Sequence, residues 1–105
     1  MRWNRTIYTG SFARKRKRPI VRAIRQKKPQ LGVYVICRAL DSDGLLDISH
    51  NVVFLMPAYQ KKDPLILGIA VGRKEAFEVA REIVDALYKK NGDFDIDAFC
   101  DPRNP

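Results

Sequence analysis

Three alternating aspartates near the C-terminus have the spacing of the first ligands in a calcium-binding loop. Asp93, Asp95 and Asp97 could direct carboxylate oxygens at one hard cation. A loop of this type also requires a glycine where Ala98 stands and a glutamate where Asn104 stands. Because both requirements fail, we expect no metal site in this segment.

Few side chains could carry out acid–base or nucleophilic chemistry. His50 is the single histidine, and no serine lies in a nucleophile-elbow sequence, so no catalytic triad can be assembled. Cys37 lies in an apolar run and Cys100 lies near the C-terminus, and no Cys/His cluster of the kind that binds zinc surrounds either residue. We therefore expect two free thiols, no cofactor and no enzymatic activity.

A candidate anion site lies where an apolar run meets a predicted helix. Gly68 and Gly72 flank this junction, and Arg73 and Lys74 follow in the first helical turn. Two cations at this end oppose the helix dipole, and a bound anion would relieve them. The stretch 72–75 lacks the Gly-Lys-Ser/Thr of a phosphate-binding loop, so a capped and solvated helix end is the simpler interpretation.

The charge is distributed very unevenly along the chain. The net charge is +8, but residues 1–40 hold 12 of the 20 Lys and Arg and none of the 12 Asp and Glu. Five consecutive residues form the longest basic run: Arg14, Lys15, Arg16, Lys17 and Arg18. Like charges repel, so we expect this run to be loop or disordered unless an anion neutralises it. The pattern predicts a basic N-terminal arm, residues 1–30, and a small α+β domain, residues 31–105.

Apolar patterning predicts the elements that would position these groups. β-branched and apolar runs indicate four strands, at 6–9, 33–37, 48–56 and 65–71. Pro19 marks the start of a short basic helix, and Asp41-Ser42-Asp43-Gly44 predicts a turn. Apolar residues from Ala76 to Tyr88 recur at helical spacing and predict a long helix over about 73–90, which Asn91-Gly92 ends.

These elements predict an α+β fold. We expect a three-stranded antiparallel β-meander packed against one long C-terminal helix, with a short N-terminal strand or helix. The strand that begins at Val33 is apolar on both of its faces, so both faces need cover. The N-terminal segment or a second subunit could provide this cover.

The element order resembles that of the double-stranded-RNA-binding domain over residues 19–88. The likeness includes the stretch 72–76, Gly-Arg-Lys-Glu-Ala, and the placement of His50 four residues before Phe54. It implies phosphate contacts from the two basic residues of that stretch, and a place for His50 in or beside the loop that enters the minor groove. No Gly-Pro precedes His50 and only two basic residues open the helix, so the likeness is one of topology and not of family membership.

The sequence also predicts a location. The apolar runs at 51–57 and 65–71 are far shorter than the roughly 20 residues of a membrane-spanning helix. The basic N-terminus has no apolar core of a secretory signal, so we expect a cytoplasmic protein without membrane attachment. Residues 65–99 resemble uncharacterised small proteins of bacterial mobile elements, which implies a bacterial cytoplasm and no known activity.

The basic arm predicts weak, sequence-independent binding of DNA or RNA, driven by the release of counterions from phosphates. The candidate contacts are Arg14, Lys15, Arg16, Lys17, Arg18, Arg73 and Lys74, with Trp3, Tyr8 and Phe12 available to stack on bases. A solvated basic tail without a ligand accounts for the composition equally well. The alternative function is an assembly module that forms a homodimer through an exposed sheet face or edge.

Overall fold

A single mixed sheet with helices on both faces forms the protein in the computed structural model, which describes residues 1–39 and 44–103. The strands are β1 (Arg2–Thr9), β2 (Val33–Arg38), β3 (Leu46–His50), β4 (Leu65–Val71) and β5 (Pro102–Arg103). The helices are α1 (Ser11–Lys15), α2 (Lys17–Arg25), α3 (Asn51–Phe54), α4 (Pro57–Gln60), α5 (Arg73–Asn91) and α6 (Ile96–Phe99). The strand order is β3-β2-β4-β1-β5.

The α+β class is confirmed, while the strand order differs from a meander. The strands β3, β2 and β4 pair antiparallel as expected, but β2 lies between the other two. β1 adds a parallel neighbour to β4. The two strands that are most completely apolar, β2 and β4, therefore occupy the centre of the sheet, where both faces are covered. This order also departs from the topology on which the resemblance to the RNA-binding domain was based.

The N-terminal segment covers one face of the sheet. Ala13 of α1 and Ile20 and Ile24 of α2 are buried against Val35 and Ile66. Of the two sources of cover expected from the sequence, the chain itself supplies it here. Residues 1–30 thus contribute a strand and two helices to the same sheet and core as the residues that follow.

The long helix covers the other face. The buried residues of α5 are Glu75, Ala76, Val79, Ile83 and Leu87, and the apolar ones pack with Ile36, Leu65, Leu67 and Ala70. Gly68 permits this close approach, because a Cβ atom there would lie 2.9 Å from Val79 Cγ1. Gly92, at φ 73°, ends the helix in the left-handed conformation that the sequence predicted.

The basic run at 14–18 is helical, so the expectation of a loop or a disordered segment was wrong. Arg14 and Lys15 end α1, Arg16 joins the two helices, and Lys17 and Arg18 begin α2. The apolar residues that anchor these helices lie just outside the charged run, and their burial holds the run in place although its own side chains repel one another.

The strand predicted over 48–56 ends in the structure at His50. The chain then turns into α3, because the His50 ring accepts the N–H of Val52 through Nδ1 at 3.2 Å and caps the helix. Phe54 is fully buried at the end of this turn. An apolar run of this length does not distinguish a strand from a buried helical turn.

Two further expectations concern the turn and the membrane. Residues 41–43 of the predicted turn lie outside the described residues. Within the described ranges, no helix combines the length and the apolar character needed to cross a membrane.

Candidate nucleic-acid interface

The two N-terminal helices and the segment that follows them expose a set of cations to solvent, called here the basic surface. It consists of nine exposed side chains: Arg14, Lys15, Arg16, Lys17, Arg18, Arg22, Arg25, Lys27 and Lys28. None of them forms an ion pair with a carboxylate of residues 1–39 or 44–103. The positive charge of this surface is therefore uncompensated by the described part of the protein.

Helical periodicity separates the basic and apolar sides of α2. Ile20 and Ile24 are one turn apart and face the core. Arg18, Arg22 and Arg25 recur every three or four residues on the exposed side. Arg22 and Arg25 were not among the contacts predicted from the sequence, although their spacing relative to the two isoleucines could have indicated them.

A shallow groove runs along the exposed side of α2. Its volume is about 560 Å³, and the residues that line it are Lys17, Arg18, Val21, Arg22, Arg25 and Gln26. Four of these six side chains are cationic, and Gln26 is the one uncharged hydrogen-bonding group among them. A groove of this composition suits an extended anion such as a phosphodiester backbone.

The two ends of α2 differ in their local structure. Arg16 precedes the helix without a side-chain capping bond, and the first turn holds no acidic residue, so Lys17 and Arg18 reinforce the positive end of the helix dipole. At the other end, Lys27 adopts a left-handed conformation with φ 57°. The N–H of Lys28 bonds the carbonyl of Ala23 at 2.9 Å, which completes a Schellman motif.

The aromatic residues proposed to stack on bases have different environments. Trp3 is partly buried, and the Arg25 guanidinium lies 5.1 Å from its ring centroid. Tyr8 packs against Phe99 with ring centroids 6.4 Å apart, and burial, followed by the charge of Glu82, raises its pKa. Phe12, at 64% exposure, is the one of the three candidates with a largely free ring.

A buried carboxylate links the first turns of α1 and α5. Glu75 is 5% exposed and accepts the backbone N–H groups of Val71 at 2.6 Å, Phe12 at 2.6 Å and Ala13 at 3.3 Å. Gly10 leaves room for it, because a Cβ atom at that position would overlap the Glu75 side chain. The start of α1 thus binds an anion that belongs to the protein itself, the Glu75 carboxylate.

The remaining candidate phosphate contacts are near this carboxylate and separate from α2. Arg73 and Lys74 are exposed in the first turn of α5, and the Arg73 guanidinium lies 5.8 Å from the Phe77 ring centroid. Because α5 covers the face of the sheet opposite to α1 and α2, the structure does not join these two residues to the groove of α2.

The aspartates with calcium-like spacing have hydrogen bonds within the chain. Asp93 accepts the N–H of Asp95 at 3.0 Å, Asp95 caps α6 through the N–H of Ala98 at 3.2 Å, and Asp97 pairs with Arg38. Among the described residues, no three His, Cys, Asp or Glu side chains are grouped to hold a metal ion.

The groups considered for nucleophilic or acid–base chemistry are mostly enclosed. Cys37 is a core residue, and burial raises its pKa strongly. Burial also raises the pKa of Tyr59 from 10.0 to about 12; its hydroxyl lies beside Ser49 and Cys37 but forms no hydrogen bond of good geometry. Both ring nitrogens of His50 face backbone N–H groups, those of Gly32 and Val52. These contacts give His50 a capping role.

Comparison of the chain with protein families, with curated proteins and with solved structures gives no match.

Proposed function

We propose that the protein binds nucleic acid through the basic surface, without sequence preference. The observation that carries the proposal is the set of nine exposed cations on α1, α2 and the segment that follows, without a carboxylate partner among the described residues. Phosphates that pair with these side chains would release condensed counterions, which drives association at low and moderate salt.

The ordered helices add to what the composition alone suggests. A flexible basic tail must lose conformational freedom when it binds a polyanion, whereas the cations along α2 already project from a helix that is anchored in the core. The groove offers ammonium and guanidinium groups and one amide, so it contacts phosphates and has little means to read bases. The affinity should therefore depend on the charge density of the nucleic acid and on the salt concentration.

The test is a pair of matched double variants. Arg18→Gln with Arg22→Gln removes two cations from the groove, and Arg81→Gln with Lys89→Gln removes two exposed cations from α5, on the opposite face. On duplex DNA the groove variant should lower the slope of log affinity against log salt by up to about 1.8, because each phosphate contact contributes about 0.9. Fluorescence anisotropy across a salt series measures this slope.

The control variant should keep the wild-type slope. Equal losses from both variants would mean that net charge and not the basic surface determines binding, and an absence of binding at low salt would exclude the function. Removal of residues 1–18 is no substitute for this test, because it would also delete β1 and α1 from the sheet and core.

A further inference from the structure

β3 is one of the two edge strands of the sheet. Its paired neighbour is β2, and no other strand of the described residues lies on its outer side. The N–H of Ala39 bonds the carbonyl of Leu45 at 3.0 Å, which identifies a hydrogen-bonded pair of this ladder. Because hydrogen-bonded and non-hydrogen-bonded pairs alternate in antiparallel sheets, the backbone groups of Leu46 and Ile48 point away from β2.

This edge lacks most of the features that prevent strands from pairing with other chains. The sequence of β3, Leu-Asp-Ile-Ser-His, contains no Lys, Arg or Pro, and its register with β2 is regular from end to end. Edge strands of monomeric proteins are usually protected by such residues or by bulges. The edge of β3 is therefore available to a further strand.

Exposed apolar side chains occur on α3 and α5, the helices of the two layers that contact β3. Val52 and Val53 of α3, directly after β3, are 39% and 46% exposed. In α5, Phe77 and Tyr88 are 55% and 52% exposed. These two residues lie on the side of α5 opposite to Glu75, which faces α1, so they project toward the β2–β3 side of the sheet.

We propose that β3 pairs antiparallel with β3 of a second copy, about a two-fold axis at Ile48. In this register Ile48 lies opposite its own copy, Asp47 lies opposite Ser49, and Leu46 lies opposite His50. The two Ile48 residues exchange both of their outward backbone hydrogen bonds, and no like charges face each other. A self-complementary register of this kind is what a two-fold interface requires.

The geometry of this pairing has a consequence for the basic surface. An antiparallel strand pair continues the sheet across a two-fold axis perpendicular to it, so the α1–α2 layers of both copies lie on the same face. The dimer would therefore present both basic surfaces on one face. This consequence depends on the proposed function, whereas the dimer itself does not.

The test uses two substitutions at Ile48. Proline removes the outward N–H and leaves the ladder with β2 intact, because edge strands tolerate proline where the N–H faces away from the sheet. Alanine removes a similar amount of apolar side chain and keeps the N–H. Ile48→Pro should weaken the dimer at least about 30-fold relative to Ile48→Ala, since two intersubunit hydrogen bonds are lost.

Sedimentation equilibrium without nucleic acid measures the two dissociation constants, so the result is independent of the proposed binding function. Hydrogen exchange in the wild-type protein provides a second measurement: the Leu46 and Ile48 amides should exchange more slowly as protein concentration rises. A wild-type protein that stays monomeric at all concentrations would overturn the proposal. So would an Ile48→Pro dimer as tight as Ile48→Ala, or β3 amides insensitive to concentration.

Discussion

Gly10 and Glu75 should be energetically coupled, and a double-mutant cycle can measure this coupling. The carboxylate of Glu75 accepts backbone N–H groups from β4 and α1, and the absence of a side chain at Gly10 is what leaves space for it. Gly10 has φ −77° and ψ 175°, a conformation open to alanine. An alanine there would thus act on stability through Glu75 and not through backbone strain.

The size of the effect can be worked out from the three hydrogen bonds. Two of them are short, at 2.6 Å, and the third is 3.3 Å. A hydrogen bond to a charged group contributes about 1.5–3 kcal/mol, and water can reach the exposed start of α1. We therefore expect Glu75→Ala to lower the free energy of unfolding by about 3 kcal/mol, from the lower end of that range for two bonds.

Gly10→Ala should also lower the free energy of unfolding by about 3 kcal/mol, because the new Cβ atom displaces the Glu75 carboxylate from its donors. In the Glu75→Ala background the same substitution meets no side chain, and only the preference for glycine over alanine before a helix remains, at most about 1 kcal/mol. The coupling energy should then be about 2–3 kcal/mol. Urea denaturation of the four proteins gives this value, provided that their m-values agree. Additive effects would refute the reasoning.

Two further predictions concern stability. Lys27→Gly should raise the free energy of unfolding by about 1 kcal/mol in urea denaturation, because Lys27 has a left-handed φ of 57° that glycine adopts without strain; an unchanged or lower stability would contradict this. The free energy of unfolding should also fall as pH rises from about 9 toward 12. Burial raises the pKa of Tyr59 from 10.0 to about 12 and also raises the pKa of Cys37. Both groups therefore stay protonated in the folded protein at a pH where the unfolded chain has already lost these protons, which favours unfolding. Tyr59→Phe should reduce this loss, as measured by urea denaturation across the pH range.

The elements with unbroken local patterns could be predicted from the sequence. β4 occupies the predicted residues 65–71, and α5 begins at Arg73 and ends next to Gly92 as its periodicity and stop signal indicated. In both elements the apolar pattern is continuous over the whole length, so local preference and burial favour the same conformation.

Long-range contacts determined the features that the sequence did not reveal. The position of β1 beside β4 depends on a parallel pairing across more than fifty residues, which no local pattern records. Glu75 illustrates the same limit for the candidate site. Its position in the first turn of α5 suits the positive end of the dipole of its own helix, whereas its carboxylate binds the start of α1, 63 residues away at Phe12.

The position of Glu75 also bears on where a ligand could bind. β1 and β4 are parallel neighbours, and the helices that follow them, α1 and α5, leave toward opposite faces of the sheet. Open α/β sheets usually bind ligands at such a point, where helix N-termini offer free N–H groups to an anion. Here the Glu75 carboxylate already accepts two N–H groups at the start of α1 and that of Val71 at the end of β4, so these donors are taken, and a phosphate at Arg73 and Lys74 would lie next to a negative charge. On the basic surface, by contrast, no carboxylate of the described residues pairs with the cations, and this difference favours α2 over the start of α5 as the proposed phosphate site.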